Sequence, residues 1–175
     1  FMDALGYPQA TLVGNSLGGW IATRFTVDNP DRVRHLYLLN SAGLNRKGAY
    51  SPYTPDRASA RRAIQTFANR SFPVPNVLLN AMVENSNRPA YKGFVEHYDK
   101  SEELDNVLSQ VRAPTTIIWG SEDRILPLIC AYDFQAGIPD SQLVMLPGVG
   151  HTPQTDAPAK VARIILQGTG LSQGI

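Results

Sequence analysis

Ser16 sits between two glycines at fixed spacing, in Gly14-Asn15-Ser16-Leu17-Gly18, and the apolar run Ala10-Thr11-Leu12-Val13 leads into it. A serine hydroxyl attacks a carbonyl only when a base takes its proton, and a strand-to-helix turn of this pattern lifts the hydroxyl clear of a sheet. So tight a turn is expected to exclude side chains two residues before and two after the serine, which accounts for Gly14 and Gly18. It also sets the hydroxyl at a helix N-terminus, whose backbone N–H groups favour negative charge. The pattern alone arises by chance in roughly one chain of this length in twenty. Its weight comes from the residues downstream.

Thr115 to Gly120 reads as a buried strand that runs into Ser121-Glu122-Asp123, and Gln142 to Leu146 as another that runs into Pro147-Gly148-Val149-Gly150-His151. Ser16, Asp123 and His151 thus each follow the C-terminal end of a hydrophobic strand. In an open parallel sheet the ligand crevice lies beyond those ends, so residues far apart in sequence meet there. A histidine that takes the serine proton and an acid that orients the imidazole complete a nucleophile. Plainer readings exist: a small turn residue at Ser16, a cap at His151, a strand-end turn residue at Asp123. Their shared placement favours chemistry. Glu122 is the nearest substitute for the acid, while Asp133 falls within an expected helix. His35, at the N-terminal end of its strand, and His97, on an expected helix surface, read as structural. Neither has a second ligand at metal-binding spacing, so no metal or other cofactor is expected.

Four strands are expected, at 10–15, 34–41, 114–120 and 141–147. The helix after the serine runs from Leu17 to Val27 and stops at Asn29-Pro30, with Leu17, Ile21 and Phe25 as its buried stripe. Trp20 and Ile21 are assigned to that packing. The strand-helix rhythm breaks from about 45 to 110, where helices near 56–70, from Val77 to Val83, from Pro89 and from Ser101 are expected. The domain reading is therefore core 1–44, helical cap 45–110 and core 111–175. The cap's Phe67, Phe72, Leu78, Met82 and Phe94 either line a substrate tunnel or form the cap's own core. Asp156-Ala157-Pro158 reads as the start of the last helix, with Asp156 as its N-cap and Val161, Ile164 and Ile165 as its buried stripe.

The serine turn, the segment Trp119-Gly120-Ser121-Glu122-Asp123 and the Gly150-His151 turn resemble the three catalytic segments of the α/β-hydrolase superfamily. The resemblance implies a partial α/β-hydrolase fold: about four parallel strands flanked by helices, with the cap between the second and third. It implies acyl transfer through Ser16, His151 and Asp123, with the backbone N–H of Leu17 as one oxyanion donor. Such a family has an eight-stranded core, so the chain is expected to be the C-terminal part of a longer protein. The second oxyanion donor is then elsewhere, and losing one typically costs about 10²–10³ in turnover. The serine strand would form an edge that invites the N-terminal half of the same fold or an edge-strand dimer.

A serine in the turn, where haloalkane dehalogenases and epoxide hydrolases carry aspartate, separates the chain from those relatives. The segments Asn40-Ser41-Ala42-Gly43-Leu44 and Pro114 to Gly120 look most like monoacylglycerol-lipase-like members and bacterial lipases or esterases. That likeness implies a small apolar ester as substrate, with Asn15, Phe72, Leu78 and Met82 as candidate contacts. The Asn15-Ser16 turn is also similar to carbon–carbon hydrolases of aromatic ring-fission pathways. Those tend to carry tryptophans after the histidine, where this chain has Thr152-Pro153-Gln154-Thr155. Ester hydrolysis, weak in the isolated chain, is the expectation; carbon–carbon hydrolysis and a non-catalytic module are the alternatives.

Composition narrows the partners. Hydrophobic residues make up 43% of 175, the net charge is +1, and no basic stripe suits a nucleic acid. The single cysteine, Cys130, allows no intrachain disulfide and reads as packing. No apolar run is long enough to cross a bilayer. A soluble, cytoplasmic setting is slightly favoured, although any signal would precede Phe1.

Overall fold

A computed structural model describes residues 1–46, 53–67, 73–96 and 103–168, with only the backbone of 94–96. His97, Phe72 and Ser101 lie outside the described residues, as does the side chain of Phe94. Four strands, β1 (Ala10–Asn15), β2 (Val33–Leu39), β3 (Thr115–Gly120) and β4 (Ser141–Leu146), form one parallel sheet in chain order. The helices are α1 (Leu17–Asp28), α2 (Arg57–Phe67), α3 (Asn76–Ser86), α4 (Pro89–Glu96), α5 (Ile129–Gly137), α6 (Pro153–Asp156) and α7 (Pro158–Gly168). A 3-10 turn, Asp3–Leu5, precedes β1 and closes on Gly6 in the left-handed region (φ 70°), which glycine enters without steric cost.

β2 and β3 are covered on both faces, which is why they read as nearly continuous apolar runs. Leu36, Leu38, Ile117 and Trp119 face a core shared with Ala22 of α1 and with Cys130, Ala131 and Phe134 of α5. Their strand neighbours Tyr37, Leu39 and Ile118 face the opposite way, onto Val161, Ile164 and Ile165 of α7. Period-two alternation thus feeds two cores from the same strands. Cys130 is buried in the first, and burial pushes its thiol up to about 11, which suits packing and not reactivity.

The register carries the functional consequence. Asn15 pairs with Leu39, Leu39 with Ile118, and Gly120 with Leu146, so the C-terminal ends lie side by side. The ladder continues one residue past the strands: Ser16 N–H donates to Leu39 O, Asn40 N–H to Ile118 O, and Ser121 N–H to Leu146 O. Everything that follows a strand is delivered to one rim.

Several expectations are corrected. The stripe Leu17, Ile21, Phe25 is not the buried face of α1. Leu17 is 42% and Ile21 61% exposed, whereas Gly19, Ala22, Thr23 and Thr26 are buried. The buried threonines are tolerated because their hydroxyls donate to Gly19 O and Ala22 O within the helix. Phe25 is partly buried and packs against the core, Leu17 borders Ser16, and Ile21 lies beside β1, which among the described residues has a strand neighbour on one side only. The helix expected to open at Ser101 begins outside the described residues; from 103 the described chain passes through a turn into the 3-10 segment Leu108–Gln110. Asp156 does not open α7 but ends α6, and its carboxylate accepts the N–H of Gly150.

Between β2 and β3 in the chain, α2 and α3 pack around Ala60, Val74 and Leu79, with Ile64, Met82 and Val83 against them. Among the described residues, no helix is long and apolar enough to cross a membrane.

Candidate active site

Ser16 occupies the turn between β1 and α1 with φ 54° and ψ −120°, a region that non-glycine residues adopt at a cost. Two glycines make this turn possible, though not the two the pattern names. A Cβ on Gly14 would lie 2.6 Å from the carbonyl carbon of Gly18 and from Gly19 Cα, and one on Gly19 would lie 2.8 Å from Ser41 Cβ. At Gly18 a Cβ meets nothing within 4 Å, because that position faces the open side of β1. Close passage of α1 over β1 is the physical requirement, and Gly14 and Gly19 satisfy it.

His151 and Asp123 form a buried pair, with Nδ1 2.8 Å from Oδ2 and both side chains 1% exposed. Asp123 Oδ1 accepts two backbone N–H groups, from Ile125 at 2.7 Å and Leu126 at 3.1 Å. Oδ2 also accepts Asn40 Nδ2 at 2.6 Å. Burial pushes the Asp123 carboxyl upward. The hydrogen bond and charge of His151, with those from Asn40 and Ile125, outweigh it and hold the carboxyl below its usual range. An ionised acid at Nδ1 leaves the outer nitrogen of a neutral imidazole to act as base. That nitrogen, Nε2, is buried and makes no hydrogen bond. Its bond with the Ser16 hydroxyl is not formed in this structure, as is common in sites without substrate.

Asn15 does not line the site's cavity. Its amide donates to Leu39 O at 2.9 Å and to His151 O at 3.0 Å, and accepts from Gln154 Nε2 at 3.1 Å. It therefore ties the histidine loop to the serine turn. Glu122 is exposed, and Asp133 pairs with Arg46 at 2.9 Å, so neither competes for the acid position. His35 sits at the opposite end of β2, stacked on Tyr37 and 2.9 Å from Thr116 Oγ1. Among the described residues, no cluster of His, Cys, Asp and Glu has the arrangement of a metal site.

A cavity of about 610 Å³ opens on Ser16. Ser16, Leu17, Trp20, Ala42, Ile125 and Leu126 line one side, and Phe67, Asn85, Arg88, Ala90 and Tyr91, from α2 to α4, line the other. Trp20, expected only to pack, walls this cavity as well as touching the core. Of the cap residues proposed from sequence, Phe67 lines it. Leu78 is instead 44% exposed and Met82 packs inside the cap, because α3 turns that face away from the serine. Arg88, Asn85 and Tyr91 were missed, since nothing in spacing distinguishes a cap arginine facing a cavity from one facing solvent.

A family profile described as alpha/beta hydrolase fold matches residues 1–158. The chain is 32% identical to a 2-hydroxymuconate semialdehyde hydrolase of Pseudomonas putida, over 94% of this chain and 63% of that protein. It is 29% identical to a 2-hydroxy-6-oxo-6-phenylhexa-2,4-dienoate hydrolase of Burkholderia cepacia, over 87% of this chain and 60% of the relative. A solved meta-cleavage product hydrolase from Pseudomonas fluorescens superposes with a TM-score of 0.79 at 24% identity, covering 97% of this chain and 67% of that one. The chain thus spans under two thirds of the length of these curated relatives. The names of these relatives match the carbon–carbon alternative better than the lipase and esterase likeness, and hydrolase chemistry is common to both. The tight serine turn, the buried acid–histidine pair on one rim of a parallel sheet, and the profile match over most of the sequence place the chain in the alpha/beta hydrolase fold family.

Proposed function

We propose that this chain carries the catalytic core of a serine hydrolase that cleaves a carbon–carbon bond in a 2-hydroxy-6-oxo-dienoate. The observation that carries the reading is the make-up of the Ser16 cavity, whose lining side chains are mostly apolar, with Asn85, Arg88 and Tyr91 as the polar groups opposite the serine. A dienoate has an apolar middle and a carboxylate at one end. Arg88 is held by an exposed ion pair with Glu84 at 3.6 Å, a kind of contact worth under about 1 kcal/mol. It is therefore available to a ligand carboxylate at little cost.

In this reading the Ser16 hydroxyl adds to the ketone carbon while His151 Nε2 takes its proton. The oxyanion rests on the N–H of Leu17, the first residue of α1, where the helix favours negative charge. Because a vinylic carbon cannot spread the pair, the 2-hydroxyl proton first moves to carbon 5. Collapse then breaks the bond between carbons 5 and 6, and the pair spreads from carbon 5 through the remaining double bond onto the 2-oxo group beside the carboxylate. The proton on His151 passes to that fragment. Water, deprotonated by His151, then hydrolyses the acyl-serine and restores both residues. A cation at the carboxylate end stabilises the delocalised charge, which an ordinary ester would not need. With Leu17 as one oxyanion donor, turnover by the isolated chain is expected to be low.

Paired assays on a 2-hydroxy-6-oxo-dienoate and a p-nitrophenyl ester, each with the Ser16→Ala control, test the reading. Serine-dependent turnover with the larger kcat/KM on the dienoate, and a raised KM for it in Arg88→Leu, is expected. A preference for the ester that Arg88→Leu leaves unchanged returns the chain to the esterase reading. A fluorophosphonate that never labels Ser16 makes it a non-catalytic module.

A further inference from the structure

We propose that Asn40 is a positioning residue, whose side-chain amide fixes the Asp123 carboxylate in the orientation that presents Oδ2 to His151. This rests on the triad reading above and adds a fourth side chain to it. Asn40 follows β2 directly and is fully buried. Its φ of 41° lies in the left-handed region, which asparagine enters more readily than most residues with a side chain. That turn ends the strand, and the side chain reaches across the strand ends to the neighbouring loop.

The two ends of the amide are distinguishable. Asn40 Oδ1 accepts the backbone N–H of Gly120 at 3.0 Å, so the oxygen must lie on that side. The nitrogen is then committed to Asp123 Oδ2 at 2.6 Å, the same oxygen that His151 Nδ1 approaches at 2.8 Å. Asp123 Oδ1 is meanwhile held by the N–H groups of Ile125 and Leu126. The carboxylate therefore meets donors on both oxygens and has no freedom to rotate away from the imidazole. A residue that only sealed the ends of β2 and β3 would need the Gly120 bond; the contact with the acid is additional. The other groups about the histidine are the Phe67 ring, the Asn15 amide on its carbonyl and, through Gly150, the Asp156 carboxylate.

Asn40→Gly removes the amide while accepting the same backbone conformation. The experiment compares parent and variant by NMR titration of the histidine ring protons and by the pH dependence of fluorophosphonate labelling at Ser16. Far-UV circular dichroism monitors the folded fraction, and His35, at the far end of β2, is the internal reference. The expected result is a His151 titration midpoint and an acid limb of labelling displaced together from the parent's values, with His35 unmoved. Labelling at neutral pH should fall roughly ten- to a hundredfold, as for a misplaced catalytic group.

Unchanged midpoint and limb, with labelling reduced only by the folded fraction, overturn the proposal and leave the triad standing. Absence of labelling that Ser16→Ala removes, in the parent itself, overturns the triad and the positioning role with it. If Asn40→Gly does not fold, the parent suffices: the Asn40 side-chain amide resonances should follow the His151 midpoint. Flat amide resonances while His151 titrates overturn the proposal.

Discussion

The ring of Phe67, at the end of α2, lies on the imidazole of His151 with centroids 5.3 Å apart and planes inclined by 57°. The end of α2 thus covers the base directly, although more than eighty positions separate the two residues in sequence. Phe67 is only partly buried and walls the cavity, so it excludes water from the histidine without filling a core. Phe67→Ala is expected to speed modification of His151 by diethylpyrocarbonate several-fold while leaving the thermal midpoint within a few degrees. A large drop in that midpoint with no change at His151 would mean the ring serves cap stability instead.

The serine turn separates two glycines that the pattern treats as equals. Gly14→Ala drives a methyl group into the backbone of Gly18 and Gly19, which cannot move without displacing α1. The cost should be on the order of 3 kcal/mol or more, as for other backbone-strain substitutions. Gly18→Ala meets open space in the first turn of α1 and gains helix propensity, so its stability should stay within about 1 kcal/mol of the parent. Urea unfolding of the two variants measures the difference. Equal losses at both sites would show that α1 does not ride on β1 as described.

What the sequence made legible, and what it did not, follows the same division. Ser16, Asp123 and His151 stand immediately beyond apolar strands, and a parallel register needs only those strand ends to place them together. Strand bounds were readable to within two residues for the same reason, since β2 and β3 are buried on both faces. The α1 stripe failed because periodicity names an apolar face without saying whether a neighbour exists to cover it. Asn40 was passed over, although a polar residue closing an apolar strand is the signal used for the other three. Arg88 and Asn85 had no local signal at all: only the placement of α3 and α4 over Ser16 makes them part of a cavity.

The uncovered side of β1 has its own consequence. Val13 is 50% and Ile21 61% exposed, and they share a groove with Leu12, Ala22 and Phe25 beside a strand edge with unpaired backbone groups. Such an edge is a template for pairing with another chain. We expect the isolated chain to sediment above its 19.2 kDa monomer mass. Val13→Lys with Ile21→Glu should shift it toward monomer, since charges on an edge oppose pairing. Sedimentation velocity decides, and a monomeric parent would sink the expectation.

Stability should fall with acid in two separate steps. Burial lowers the pKa of His35, and the nearby charge of Asp140 only partly offsets it. The folded protein therefore prefers the neutral ring, while the unfolded chain takes up a proton near pH 6.5. Below that value the unfolded state binds more protons, so stability declines as pH drops from about 6.5 until the folded ring also protonates. Asp123 acts lower on the scale. Its carboxyl is held below the usual range despite burial, so its contribution is full above about pH 4 and is lost as pH falls through the folded value. His35→Gln should flatten the urea midpoint between pH 7 and pH 5.5 and leave the steeper loss below pH 4. Asp123→Asn should do the reverse, flattening the acid step while the first remains. A parent whose midpoint is level from pH 7 to pH 5.5 would mean that His35 accepts its proton as readily folded as unfolded, contrary to its stacking on Tyr37 and burial against β3.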